Sequence, residues 1–400
     1  MDIYERSLKR HRETQGKISV TSRMRLESQD DLSIAYTPGV ARPCEVIAED
    51  PGAAWDLTWK GRTVAVVSDG SAILGLGNLG PMASLPVMEG KAALFHEFAG
   101  IDAVPVVLDV HEVDEIVSVV RAIAPTYGGI NLEDIAAPRC FAIEEQLQDL
   151  GIPVLHDDQH GTAIVLLAAL RNAARCLGRE LRELSVVING AGAAGRAIAH
   201  LLTPTEGHDL SSAVGQVRIC DSRGIVWPGR AGNDALKEEL ARRTNSTGQQ
   251  GSLTDALVGA DVFVGVSRAN LLNREDIATM AKDSIVFAMA NPIPEVMPDE
   301  ALAGGAAIVG TGRSDFPNQV NNVLAFPGLF RGALEARATR FTESMKLAAI
   351  DAIAACVEEP TPRHILPPAF DRSIAVAVAN AVRQAAIDAG VCHVQPGKVL

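Results

Sequence analysis

Between Thr63 and Asp158 the chain repeats one unit, a short apolar run ending on an aspartate and then a helix-like stretch. The runs are TVAVVSD, DAVPVVLD, GGINLED and IPVLHD, which end at Asp69, Asp109, Asp134 and Asp157. Between them lie PVMEGKAALFHEFAG, HEVDEIVSVVRAIAP and APRCFAIEEQLQDLG, each with helical patterning. Strands that alternate with helices predict a parallel sheet, because a parallel connection needs a crossover. The carboxyl ends of all its strands then emerge on one edge, where α/β proteins build their sites. This pattern sets an α/β class for the first part of the chain.

The sharpest part of the pattern is Asn131 to Gly161, NLEDIAAPRCFAIEEQLQDLGIPVLHDDQHG. Its two apolar runs close on paired acids, Glu133–Asp134 and Asp157–Asp158. A single strand-end aspartate is more often a helix cap than a catalyst. Four carboxylates at one edge repel each other unless a cation or shifted protonation compensates. Oxygen donors of this kind suit Mg²⁺ or Mn²⁺. Nearby, His156-Asp-Asp-Gln-His160 imitates the H-E-x-x-H of zinc hydrolases. His156 closes a strand, however, and Gly161 is expected to open the following helix, so the two rings are not expected to share a helical face.

A mostly apolar helix, 161–178, leads into a second alternating region with the strands SVVIN, QVRICD, DVFVGV, SIVFAM and AAIVG. The rhythm is that of a dinucleotide-binding domain. G-x-G-x-x-G occurs twice, at Gly75-Leu-Gly77-Asn-Leu-Gly80 and at Gly190-Ala-Gly192-Ala-Ala-Gly195. The second follows a strand directly and opens a helix, so its glycines allow the pyrophosphate to approach the helix N-terminus. The first is split from its strand by SAIL and followed by Pro81 and Pro86, which reads as a loop near the substrate. Asp221, at the end of the next strand, is placed for a ribose hydroxyl and favours NAD. Arg223, two residues on, offsets its charge and admits NADP, so both dinucleotides stay open. Two alanine-rich helices, about 341–358 and 369–389, close the chain.

Composition narrows the class. The 400 residues suffice for roughly two or three domains, and 47% hydrophobic with 21% charged residues is ordinary for a soluble protein. A net charge of −13 argues against a general nucleic-acid or anionic-membrane surface. The start carries no apolar signal region, and the longest apolar stretch is interrupted by Arg171 and Arg175. Six scattered cysteines without a CxxC pair read as reduced thiols of a cytoplasmic protein. Lys91 lies inside an amphipathic helix, where lysines are usually solvated. It becomes a candidate base if a metal and burial lower its pKa. Tyr36 stands just ahead of the Pro38–Gly39 turn. The competing readings are a zinc metallohydrolase and a non-catalytic nucleotide-sensing protein.

SIAYTPGVA, VSDGSAILGLGNLGPMASLPVMEGKAALFHEFAGIDAVP, GINLEDIAAPRCF, PVLHDDQHGTA, GAGAAG, ANPIPE and GRSDFPNQVNNVLAFPG together resemble the malic enzyme family in its compact bacterial form. The resemblance implies an N-terminal α/β substrate and metal domain over residues 1–160. It also implies a Rossmann-type NAD(P)-binding domain with C-terminal helices over 161–400. The implied reaction is oxidative decarboxylation of L-malate to pyruvate and CO₂ with reduction of NAD or NADP, dependent on Mg²⁺ or Mn²⁺. A malolactic or oxaloacetate-decarboxylating enzyme is the alternative within the family. By the family pattern Tyr36 is the general acid and Lys91 the general base. Glu133, Asp134 and Asp158 hold the metal, with Asp157 beside them. Gly190, Gly192, Ala193, Ala194, Gly195 and Asp221 hold the dinucleotide. Asn291 and Asn321–Asn322 meet substrate or nicotinamide. A homodimer is expected, with the N-terminal arm contributing. One departure stands out: Ala72 occupies the position of an arginine that binds a malate carboxylate in larger eukaryotic members. Ser71, Asn78 or a basic residue elsewhere is expected to replace it.

Overall fold

A computed structural model describes residues 2–73, 76–204 and 210–393. The chain enters through an arm of helices, α1 (Ile3–Thr14), α2 (Gln29–Ala35) and α3 (Ala41–Glu49), then the single turn α4 (Ala54–Leu57). None of these helices buries a residue, and Ile3, Tyr4, Leu8, Leu32 and Ile34 stand exposed.

The repeated unit folds as a four-stranded parallel sheet of β1 (Thr63–Ser68), β2 (Asp102–Val107), β3 (Gly129–Leu132) and β4 (Val154–His156). Its strand order is β2-β1-β3-β4. The crossovers are α5 (Pro81–Ala99), α6 (Val113–Ile123) and α7 (Arg139–Gln146). Because β1 has neighbours on both sides, its continuous run Val64–Val67 is fully buried, as a central parallel strand requires. After β2 the chain crosses back over β1 to form β3. The order therefore reverses at β1, and the crevice beyond the carboxyl ends of β1 and β3 is the natural ligand position.

Helix α8 (Asp157–Leu177) begins on the residue after β4. The expected start at Gly161 was four residues late. Asp157 and Asp158 fall in the first turn, where carboxylates complement the positive helix end. Ala163 to Leu170 are buried all round, so α8 is a core rod and not a surface helix. It packs on α9 (Ala193–Leu202) of the second unit.

The second sheet contains β5 (Ser185–Asn189), β6 (Gln216–Asp221), β7 (Gly224–Ile225), β8 (Val262–Gly265), β9 (Ile285–Ala288) and β10 (Ile308–Thr311). Their order is β10-β9-β8-β5-β6-β7, parallel throughout except for β7, which pairs antiparallel with β6. Two residues of strand are too few to show any periodicity, which is why β7 was not anticipated. The flanking helices are α10 (Ala235–Thr244), α11 (Leu253–Leu257), α12 (Arg274–Ile277) and α13 (Pro298–Ala303).

The chain closes with α14 (Phe326–Glu335), α15 (Glu343–Ala355) and α16 (Arg372–Asp388), which return to the first unit. Phe95 of α5 meets Phe326 and Phe330 edge-on, with ring centroids 4.7 and 5.3 Å apart. On α8, the fully buried Asn172 donates through Nδ2 to the carbonyls of Ala354 and Ile365, both at 3.0 Å, and accepts from Arg175 at 2.7 Å. Among the described residues no helix is long and apolar enough to cross a membrane. Replacing Asn172 by Leu strands two buried carbonyls, so urea unfolding is expected to show a loss of about 2–3 kcal/mol. A loss below about 0.5 kcal/mol would contradict this account.

Candidate active site

The β3-to-α7 and β4-to-α8 junctions bring Glu133, Asp134, Asp157 and Asp158 to one edge, since β3 and β4 pair in parallel from Ile130↔Val154 to Leu132↔His156. The edge is acidic, with one lysine inserted into it. Lys91 comes from α5 and is only 8% exposed. Its Nζ donates to Asp157 Oδ2 at 2.5 Å and to Glu133 Oε1 at 2.9 Å, and lies 4.1 Å from the centroid of the Phe326 ring. Burial alone would lower the pKa of this ammonium, but the charges of Asp157 and Glu133 outweigh it and hold the pKa above the usual lysine range. The sequence reading had burial lowering it towards a base. In the chain alone it is instead a firmly held cation.

Glu133 is pushed well above the ordinary carboxylate range. Burial is the largest cause; Lys91 opposes it, and the charges of Asp158, Asp157 and Asp134 add to it. Asn131, fully buried one step before the end of β3, donates to Glu133 Oε2 at 2.8 Å. Asp134 takes a left-handed backbone, φ 52°, and its N–H donates to Asp158 Oδ2 at 2.9 Å. Its carbonyl accepts from the N–H of Ala72, which ties the glycine loop to the acids. The Asp158 side chain is 36% exposed, the open side of the cluster.

Asp157 is more than the neighbour the sequence suggested. It is fully buried, and its Oδ2 accepts from Lys91 and from Asn322 Nδ2, the latter at 2.9 Å. Thr162 donates to Asn322 Oδ1 at 3.1 Å and so orients that amide. A Cβ at Gly161 would fall 1.9 Å from Asp157 Oδ1, so any side chain there would displace the Asp157 carboxylate. Asn131, Thr162 and Gly161 were missed as supporting residues. Only their proximity to the acids along the chain hinted at them.

The other expected residues divide. Asn321 caps a short turn, its Oδ1 accepting from the N–H of Val323 at 3.0 Å. Asn291 is exposed after β9, its side chain lying against Gly312. Tyr36 is 67% exposed, and its hydroxyl has no hydrogen bond among the described residues. Ser71 Oγ donates to Asp69 Oδ1 and accepts from the N–H of Ala136, and Asn78 Oδ1 accepts from the N–H of Gly80. Both candidates for the missing arginine are thus committed to holding their loop. The first fingerprint is that loop, closed by Ile73 N–H on the Gly77 carbonyl, with Gly75 outside the described residues. His156 is buried at the end of β4, and His160 turns to Glu144 at 3.0 Å.

At the second sheet, Gly190 follows β5 and Gly192 caps α9, which begins at Ala193. The Gly192 position opens onto free space, while a Cβ on Gly195 would stand 1.7 Å from the Gly190 carbonyl oxygen. The amides of Ala193, Ala194 and Gly195 form the first turn, an N-terminus suited to a pyrophosphate. Asp221 ends β6. Its oxygens accept from Arg230 Nη1 and Nη2 at 3.0 and 2.5 Å, from Lys237 Nζ at 3.0 Å and from the Arg223 N–H at 2.9 Å. Burial works against ionisation here, yet the bonds from Arg230, Arg223 and Lys237 hold the carboxyl down at about 2. The Arg223 guanidinium turns away to the Ala231 and Gly232 carbonyls. Arg230 and Lys237, not Arg223, neutralise Asp221; both lie too far along the chain to be paired with it by spacing.

Comparison with known proteins bears on this geometry. The malic enzyme N-terminal domain matches residues 15–148, and the malic enzyme NAD binding domain matches 159–387. The chain belongs to the malic enzyme family. Among its relatives is a bifunctional malic/malolactic enzyme of Bacillus subtilis, 53% identical over 98% of this chain and 95% of that protein. An NAD-dependent malic enzyme of Geobacillus stearothermophilus is 51% identical over 94% of this chain and 78% of that protein. Among solved structures, the NAD-dependent malic enzyme of Thermotoga maritima superposes with a TM-score of 0.90 at 46% identity, covering 96% of this chain and 99% of that one. For the malic enzyme fold seen here, Gly195→Ala is expected to remove measurable dinucleotide binding by calorimetry, because its methyl meets a backbone oxygen. Binding within twofold of the wild type would overturn that reading of the fingerprint.

Proposed function

We propose that this chain converts L-malate to pyruvate and CO₂ with reduction of NAD⁺ or NADP⁺, using Mg²⁺ or Mn²⁺. The observation that carries the reading is the acidic cluster, with Asp157 and Glu133 on the buried Lys91 and Asp134 and Asp158 next to them, beside a dinucleotide fingerprint on α9, which packs along α8. Among the described residues no three such groups already stand in a metal-holding arrangement, but the donor chemistry suits a hard divalent cation, being all oxygen with Glu133 among three like charges. Glu133, Asp134 and Asp158 would hold it, leaving Asp157 to Lys91. When bound, the cation supplies Lewis acidity and the nicotinamide a hydride acceptor.

Lys91 Nζ is the group placed to take the proton of the malate hydroxyl. Once Glu133 is neutralised from another side, one of the two charges raising the lysine pKa is gone and burial counts for more. Asp157 and Asn322 keep Nζ aimed during that change. Tyr36 is proposed as the acid that protonates the carbon from which CO₂ departs. Asn291 and Asn321 are proposed to line the nicotinamide and malate side of the cleft. In this proposal the metal residues, Lys91 and Tyr36 belong to 1–160, and the dinucleotide residues to 161–400, which also lends Asn321 and Asn322 to the substrate side.

Asp221 carries two cations and has its acceptor sites filled, so it neither repels a 2′-phosphate nor readily takes a ribose hydroxyl. The reading this supports is use of NADP⁺ alongside NAD⁺. A malolactic outcome, lactate with no net reduction, would use the same residues, and a 53% identical relative is named for both activities. Lactate therefore has to be measured together with the reduced dinucleotide. The exposed apolar residues of the arm, with Tyr36 among them, support a homodimer in which a second copy covers α1 and α2.

Lys91→Ala is expected to lower kcat for malate oxidation by about 10²–10⁴ while dinucleotide affinity is kept. The check is absorbance of the reduced dinucleotide with malate and Mn²⁺; full activity would remove Lys91 as the base. Lys237→Ala should raise the KM for NADP⁺ by roughly tenfold, one charged contact, and leave that for NAD⁺ nearly unchanged. Equal shifts for both nucleotides would count against the neutralised-carboxylate reading.

A further inference from the structure

The geometry points to Glu144 as a positioning residue for Asp157 and Asp158, acting through the residues that flank them. The inference rests on the reading of these acids as part of the cation site. Glu144 lies on α7, with its side chain 12% exposed. Its Oε1 accepts from the backbone N–H of His156 at 3.0 Å, and its Oε2 from Gln159 Nε2 at 2.9 Å. His160 Nε2 lies 3.0 and 3.1 Å from the two oxygens. These donors sit immediately before and immediately after the acid pair. One carboxylate thus grips both sides of the two residues that open α8, while Asp157 and Asp158 themselves face the other way, towards Lys91 and the Asp134 amide.

The far side of the grip is fixed as well. Lys346 of α15 donates to His160 Nδ1 at 3.0 Å, which leaves Nε2 as the protonated nitrogen facing Glu144. The relay links α7, α8 and α15 in one line. Burial disfavours a charged Glu144, but His160 beside it brings the carboxyl down to about 2, so the acceptor is ionised throughout the working pH range.

Packing is incomplete on this side of the turn. A cavity of about 820 Å³ adjoins it, and Glu144, Gln159, His160 and Lys346 all stand on its wall beside Phe141 and Phe341. Asp157 is packed closely on its other side, so on the cavity side the hydrogen bonds to Glu144 are what hold the turn. Residues that orient ligating groups in this way typically carry a 10–100-fold effect on metal affinity.

The test is Mn²⁺ binding by electron paramagnetic resonance and NADP⁺ binding by calorimetry, on the full chain. Glu144→Ala is expected to weaken Mn²⁺ by about tenfold or more and NADP⁺ by less than about twofold. Glu144→Gln should recover most of the Mn²⁺ affinity, because its amide oxygen still accepts from His156 and Gln159 can rotate to face the amide. If Glu144→Ala does not fold, Gln159→Leu removes one donor and is expected to cost about threefold in Mn²⁺ affinity, again without affecting NADP⁺. Mn²⁺ affinity unchanged in these variants, or NADP⁺ lost in equal measure, overturns the positioning role alone. No saturable Mn²⁺ binding to the wild type overturns the cation reading and this inference with it.

Discussion

The arrangement turns on the contact of Lys91 with Asp157 and Glu133. Three charges removed from water are tolerable only when they are paired at close range and the remaining donors and acceptors are satisfied. Each member comes from a different element: α5, the start of α8, and the end of β3. The contact therefore assembles only when the first sheet has its order β2-β1-β3-β4 and α5 lies across it. The aromatic ring of Phe326 closes the remaining side of the ammonium and brings in α14 from the far end of the chain. Site and fold are thus the same constraint seen twice.

The second sheet repeats the logic at lower charge. Its strand order reverses at β5, and the fingerprint Gly190 to Gly195 sits at that reversal, as in other doubly wound sheets. The carboxylate one strand over, Asp221, is the part of this site whose charge is most fully compensated. The partners that saturate this carboxylate, Arg230 and Lys237, come from the connection after β7 and from α10.

Much of this was legible in the residues alone. Alternation predicted both sheets, and paired acids at successive strand ends marked the edge where charge would gather. Both signals are local, carried by a few consecutive residues with a fixed period. What stayed hidden depends on distance in the chain. Asp157 ranked as a bystander because what its carboxylate holds, Lys91 and Asn322, comes from 66 and 165 residues away. Arg223 looked like the partner of Asp221 because it was near in sequence, whereas tertiary geometry supplied Arg230. The start of α8 was misplaced because Gly161 resembles a boundary, when its role is to leave room for Asp157. Family motifs named the residues; contacts assigned their tasks.

The direct passage from β4 into α8 has a mechanical consequence. His156 is the last residue of the strand and Asp157 the first of a 21-residue helix, so no loop residue separates the first sheet from the helix that packs on the second unit. A helix of that length is a rod of about 30 Å. Its outer portion is embedded among α9 and α15, and its tip carries two of the acids. A movement of the dinucleotide sheet that carried α8 with it would therefore be felt at the acids, with no flexible residue between strand and helix to absorb it.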